Sequence, residues 1–184
     1  MRRIFPEIIE ITTRVFDDQR GWFTESYNRK TFVAHGIEAE FVQDNLSYSA
    51  PEGTIRGLHY QLAPAAQAKL IRVLRGKIWD VAVDVRKGSP TFGDHMAVTL
   101  SAELHNQLFI PYGFAHGFIT LEQDTEVFYK VDAFWVPDCE RGIQWNDPAL
   151  GIEWPLNTAS PTLSFKDTLH PPLAAQTDLP IIEN

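Results

Sequence analysis

Cysteine is nearly missing from this chain. Among 184 residues only Cys139 carries a thiol, so an internal disulfide is excluded and a reducing cytoplasm is the expected setting. Long apolar runs are missing as well. None approaches the roughly 20 residues that cross a bilayer, and the opening Met-Arg-Arg-Ile-Phe-Pro lacks the apolar stretch of a secretory signal. Positive charge is in deficit, with 16 Lys plus Arg against 24 Asp plus Glu for a net charge of −8. That balance argues against nucleic acid as a general partner. It leaves room for a small anionic ligand, which needs only a few cations in one place. No glycine-rich phosphate loop, Gly-x-Ser-x-Gly or zinc-type cysteine pair occurs. Cys139 lies next to Glu140, whose charge disfavours a thiolate, so a cysteine nucleophile is not expected.

What is present favours β structure. Hydrophobic residues make up 44% and aromatics 12%, which suits a globular chain of short strands better than a helical bundle. Residues 4–16 read as extended, Asp17–Gly21 as a turn, and Trp22–Tyr27 as a further strand. Asn28 is placed to cap a short helix from Arg29 to His35, which Gly36 ends. Strand signals follow at Glu40–Gln43, Thr54–Gln61, Lys69–Leu74, Lys77–Val85, His95–Leu100, Gln107–Ile110, Ala115–Leu121 and Glu126–Val131. Within Lys77–Val85, Trp79, Val81, Val83 and Val85 share one face while Ile78, Asp80, Ala82 and Asp84 share the other. Short strands at regular spacing predict an all-β sandwich or barrel, with a jelly roll the economical choice and a few short helices beside it. A single domain over residues 1–184 is expected, with 171–184 as a surface or frayed C-terminal tail.

Three clusters could carry chemistry. Arg56-Gly57-Leu58-His59-Tyr60-Gln61 is a strand with Arg and His three apart, which strict alternation puts on opposite faces unless a bulge intervenes. Taken alone, His59 is more often an ordinary hydrogen-bonded histidine than a base. In the second, Pro111-Tyr112-Gly113 builds a turn that delivers His116 to a strand, a Pro-x-Gly-x-x-His pattern also found in the second motif of cupins, where the His often binds metal. The third comprises Tyr129-Lys130, Trp135, Glu140 and Ser164-Phe165-Lys166-Asp167, which alone reads as packing and solvated surface. Metal catalysis on this fold usually calls for a His-x-His plus a carboxylate. None of the six histidines stands in that arrangement, so neither metal nor another cofactor is expected.

In order along the chain, these segments resemble the dTDP-4-dehydrorhamnose 3,5-epimerase family. The likeness runs from about Phe16 to Asp167. It includes Asp18-Gln19-Arg20-Gly21 with Glu25 and Tyr27, Phe41-Val42-Gln43-Asp44-Asn45, and Arg56–Gln61. It continues through Gln67-Ala68-Lys69-Leu70, Asp80–Arg86, Ser89–Gly93, Pro111–Phe118, Trp145–Pro148 and Ile152–Pro155. The resemblance implies a cupin-type β jelly roll, a homodimer, and a dTDP-4-keto-6-deoxy sugar as substrate. By position it implies that His59 is the base, Tyr129 the acid, Asp167 the group orienting His59, and Lys69 the cation beside the keto oxygen. Arg20, Glu25, Gln43, Asn45, Arg56, His116, Glu140 and Lys166 fall where the family contacts substrate or nucleotide. Trp135 falls where the family stacks an aromatic, commonly Tyr, on thymine; the departure keeps a π face.

The residue types suit the reaction. A proton beside a ketone is acidic only because the carbanion spreads onto oxygen, and a cation at that oxygen lowers the barrier most. The base must be a neutral imidazole with its tautomer fixed, and inversion needs a donor on the other face of the sugar. A mono-epimerase acting at carbon 3 or carbon 5 would carry the same acid, base and lysine. A metal-dependent cupin oxygenase and a non-catalytic sugar-binding cupin are the readings from other classes.

Overall fold

The computed structural model describes residues 1–3, 5, 7–157 and 160–182. Thirteen strands and one α-helix occur among them: β1 (Arg2–Arg3), β2 (Ile9–Thr12), β3 (Val15–Asp18), β4 (Gly21–Thr24), α1 (Arg29–Ala34), β5 (Gln43–Ser49), β6 (Ile55–Gln61), β7 (Lys69–Arg75), β8 (Lys77–Asp84), β9 (His95–Ser101), β10 (Asn106–Ile110), β11 (Phe114–Thr120), β12 (Thr125–Val131) and β13 (Glu140–Gly142). One six-stranded sheet runs β1-β2-β10-β7-β12-β5, a five-stranded sheet runs β13-β6-β11-β8-β9, and β3-β4 form a separate ribbon. The pairings between these strands are antiparallel. The two larger sheets face one another as a cupin-type jelly roll.

Alternation along each strand explains where the core lies. Ile71 and Val73 of β7, Ile78 and Ala82 of β8, Phe114 and Phe118 of β11 and Val127 of β12 meet between the sheets. Val81, Val83 and Val85 point the other way, as the sequence pattern requires, under Ile143, Leu150, Trp154 and Leu173. A third cluster joins Ile9 and Ile11 of β2 to Leu70, Phe109 and Phe32 of α1. Asn28 caps α1, its side-chain oxygen accepting from the backbone N–H groups of Lys30 and Thr31. The tail is tied down rather than loose over 171–182. Leu173 is buried and donates its N–H to Asp147 Oδ2, and the backbone of Lys87 bonds to both Pro180 and Ile182. The last two residues of the tail expected from the sequence, 183 and 184, lie outside the described residues.

Two local features differ from strict sequence alternation and both shape the interior. The strand expected at Glu40–Gln43 forms instead at Gln43–Ser49. Its inward positions are Gln43, Asn45, Ser47 and Ser49, while Leu46 and Tyr48 face outward and are exposed, so its polarity pattern is inverted. In β6, His59 pairs with His116 while Arg56 pairs with Phe118, three residues against two. That bulge turns Arg56 and His59 to the same side. Gly57 and Gly117 make it sterically feasible: a Cβ on Gly57 would stand 2.5 Å from the Gly117 Cα.

Candidate active site

Two adjoining cavities of about 280 and 470 Å³ open between the sheets and share His59, Lys69 and Tyr129 in their walls. Each of the three comes from a different strand: His59 from β6, Lys69 from the first position of β7, and Tyr129 from β12. Lys69 and Tyr129 belong to one sheet and His59 to the opposite one, so the space lies between an imidazole and a phenol.

His59 Nε2 lies 2.6 Å from Asp167 Oδ1. With the carboxylate as acceptor, Nε2 carries the proton and Nδ1 keeps a lone pair. Burial pushes the His59 pKa below its ordinary value, against the upward pull of the Asp167 hydrogen bond and charge. Asp167 is itself buried, which alone would raise it. The nearby imidazoles of His170 and His59 outweigh that, with help from Ser164, and hold it well below the carboxylate range. A neutral imidazole oriented by an ionised carboxylate can take a proton at Nδ1.

Lys69 donates from Nζ to the His59 carbonyl, 3.2 Å away. Burial pulls its pKa down to about 8, while Asp80 and Glu140 pull it back up. Asp80 is fully buried and accepts from His116 Nε2, at 2.9 Å on Oδ2 and 3.1 Å on Oδ1. Tyr129 is pushed above its usual value by burial, with Arg56 opposing, so its hydroxyl keeps its proton at neutral pH.

Polar side chains fix the walls. Gln43 Nε2 donates to Asn45 Oδ1 at 2.9 Å, and Gln43 Oε1 accepts the Trp135 backbone N–H. Trp135 Nε1 donates to Glu140 Oε2, which also pairs with Lys166 Nζ at 2.6 Å. Trp135 is 55% exposed. Arg56 donates to Ser49 Oγ and the Tyr48 carbonyl, with His116 and Lys166 lining the same larger cavity.

Eleven of the thirteen residues singled out from sequence therefore meet here: His59, Lys69, Tyr129, Asp167, Gln43, Asn45, Arg56, His116, Trp135, Glu140 and Lys166. Arg20 and Glu25 do not. Arg20 pairs with Asp18 on the exposed β3–β4 ribbon, and Glu25 lines a separate cavity beside α1. The ribbon is hydrogen-bonded as its own two-stranded sheet, so one chain does not bring them to its own cavity. Sequence reasoning gave no role to Gln61 and Gln67, which line the site and hold its rim. Gln61 bonds Ala65, Phe134 and Val136, and Gln67 bonds Ala133. It also left out Asp80, whose place beneath the cavity was implicit in the parity of Lys77–Val85.

Residues 3–175 match the family described as dTDP-4-dehydrorhamnose 3,5-epimerase. The chain belongs to that family. The enzyme of that name from Pseudomonas aeruginosa is 53% identical over 167 residues, covering 90% of this chain and 91% of the relative. A solved dTDP-6-deoxy-D-glucose-3,5-epimerase from Legionella pneumophila, in complex with dTDP-4-keto-L-rhamnose, superimposes with a TM-score of 0.94 at 41% identity. That match covers 100% of this chain and 98% of the other. ChmJ, a 3′-monoepimerase from Streptomyces bikiniensis solved with dTDP-quinovose, is more distant: 32% identity, TM-score 0.84, covering 91% and 84%. This member of the epimerase family is thus an isomerase on the cupin fold.

Proposed function

We propose that this chain inverts carbons 3 and 5 of dTDP-4-dehydro-6-deoxy-D-glucose to give dTDP-4-dehydro-L-rhamnose. The observation that carries the reading is the shared cavity wall of His59, Lys69 and Tyr129, with Asp167 fixing the imidazole. His59 Nδ1 removes the proton beside the ketone. Lys69 stabilises the enolate oxygen, and Tyr129 returns a proton to the opposite face. The ketone is already in the substrate, so the reaction asks for no redox cofactor. Arg56, His116 and Lys166 receive the diphosphate, and Trp135 stacks on thymine. An acidic chain thereby binds an anion through cations gathered at one cavity.

The chain works as a homodimer in the cytoplasm. Supporting the dimer, the β3–β4 ribbon exposes Phe16, Trp22 and Phe23, and a second copy offers the route by which Arg20 and Glu25 could reach a substrate. No helix among the described residues is long and apolar enough to cross a membrane.

Incubation with dTDP-4-keto-6-deoxyglucose in heavy water, followed by NMR, tests the reaction. Deuterium at carbons 3 and 5 is the expected result. Label at one carbon would select a mono-epimerase, and no label at either would overturn the catalytic reading.

A further inference from the structure

Behind the His59–Asp167 pair stands a histidine that the proposed reaction does not use. His170 Nε2 is 3.4 Å from Asp167 Oδ1, the same oxygen that His59 engages. This nitrogen is buried and makes no directed hydrogen bond, although it is close enough for charge attraction. The ring is held in place by Gly142, where any Cβ would collide with the imidazole. Gly142 in turn pairs with His59 across β13 and β6. Two imidazoles and one carboxylate thus converge, with ligand atoms all within 4.8 Å of one another.

We propose that His59, Asp167 and His170 form a zinc-binding site whose occupancy switches off proton abstraction. Mixed imidazole and carboxylate donors suit zinc better than magnesium or calcium. Zinc ligated at about 2.0–2.1 Å in a tetrahedron sets its donors roughly 3.4 Å apart. The His170–Asp167 separation already has that value, and the 2.6 Å His59–Asp167 separation must open by less than an ångström. Three protein donors leave a fourth position for water or another small ligand.

The inhibition follows from the imidazole's single proton. In the free protein that proton sits on Nε2, facing Asp167, and the lone pair sits on Nδ1. A zinc ion bonded to Nε2 displaces the proton, and the neutral ring carries it on Nδ1 instead. No lone pair then faces the sugar. This consequence rests on the proposed role of His59 as base; the binding site itself does not.

The test is calorimetric titration of the full-length protein with zinc chloride, alongside His170→Ala and the similarly sized His170→Gln. One equivalent is expected to bind the unmodified chain, with affinity falling by about tenfold or more in both variants. No saturable binding, or equal affinity in all three proteins, overturns the site. Deuterium exchange into dTDP-4-keto-6-deoxyglucose is expected to stop at one equivalent of zinc and return with chelator. Zinc bound in a His170-dependent way with exchange undiminished overturns the inhibition and removes His59 as the base, leaving the site standing.

Discussion

Replacing Lys69 with Met tests the electrostatic core of the mechanism. The substitution keeps an unbranched side chain in a buried position and removes only the ammonium that donates to the His59 carbonyl. A unit charge about 4 Å from a developing oxyanion is worth about 4 kcal/mol at an effective dielectric of 20. Loss of a preorganised oxyanion donor costs about 2.7–4 kcal/mol in measured cases, or roughly 10²–10³ in rate. The rate of deuterium entry beside the ketone, followed by NMR, should therefore fall on the order of 10²–10³-fold in Lys69→Met. The pH profile supplies a second arm. The Lys69 pKa is pulled to about 8, so the cation is present below that value and lost above it. Activity of the unmodified protein should decline above about pH 8, whereas the Met variant should show no such limb. Exchange within tenfold of the parent, or an alkaline limb that survives the substitution, would refute the reasoning.

Tyr129→Phe should still lose protons to solvent better than it inverts configuration, because the base and the cation remain; equal loss of exchange and epimerisation would contradict the acid assignment. Asp84→Ala should cost about 3–5 kcal/mol at neutral pH, read by denaturant unfolding, because the carboxylate is fully buried and its loss strips the Arg86 guanidinium of its main partner. Burial would raise Asp84, but Arg86, Ser89 and Thr91 hold its pKa below the usual value. The carboxylate's contribution is therefore present above about pH 4 and lost as pH falls through its folded pKa, so parent and variant should converge in acid. Gly117→Ala should destabilise by about 1–3 kcal/mol, since the new Cβ would lie 2.8 Å from the Arg56 carbonyl oxygen; an unchanged melting temperature would show that the bulge can relax.

The strands were legible in the sequence where both faces are apolar or one face clearly is. Lys77–Val85 announced β8 because Val81 and Val83 pack outward while Ile78 and Ala82 fill the space between the sheets. The strand after α1 was displaced because its pattern is inverted. Gln43, Asn45 and Ser47 look inward at a cavity, and hydrophobicity alone reads that as a loop. Most site residues were reachable through the family's motifs rather than through periodicity. Arg56 and His59 show why, since a period of two separates them and only the bulge opposite Gly117 reunites them. The His59–Asp167–His170 cluster had no local signature. Its histidine on β6 stands 108 residues from the carboxylate, and a metal search by short spacing could not join them.

The interior of the jelly roll is divided along its strands, and the division explains why the chemistry sits where it does. Ile71, Val73, Ile78, Phe114 and Val127 fill one part, while Gln43, Asn45, Arg56, His59, Lys69, His116 and Tyr129 line the other. Burying so many polar groups is costly unless charges are paired. Here His59 meets Asp167 and His116 meets Asp80, while the half-buried Glu140 meets Lys166 at the exposed rim. Lys69 is different. Among the described residues it has a carbonyl for a partner at 3.2 Å and feels Asp80 and Glu140 only through longer-range attraction, and its depressed pKa reflects that shortfall. An anion forming beside it would supply the missing counter-charge and raise its proton affinity at the moment the enolate appears. In the proposed reaction, the same burial that weakens this ammonium in the resting protein would thus make its stabilisation of the intermediate stronger than its contact with a neutral ketone, which is the differential binding that catalysis requires.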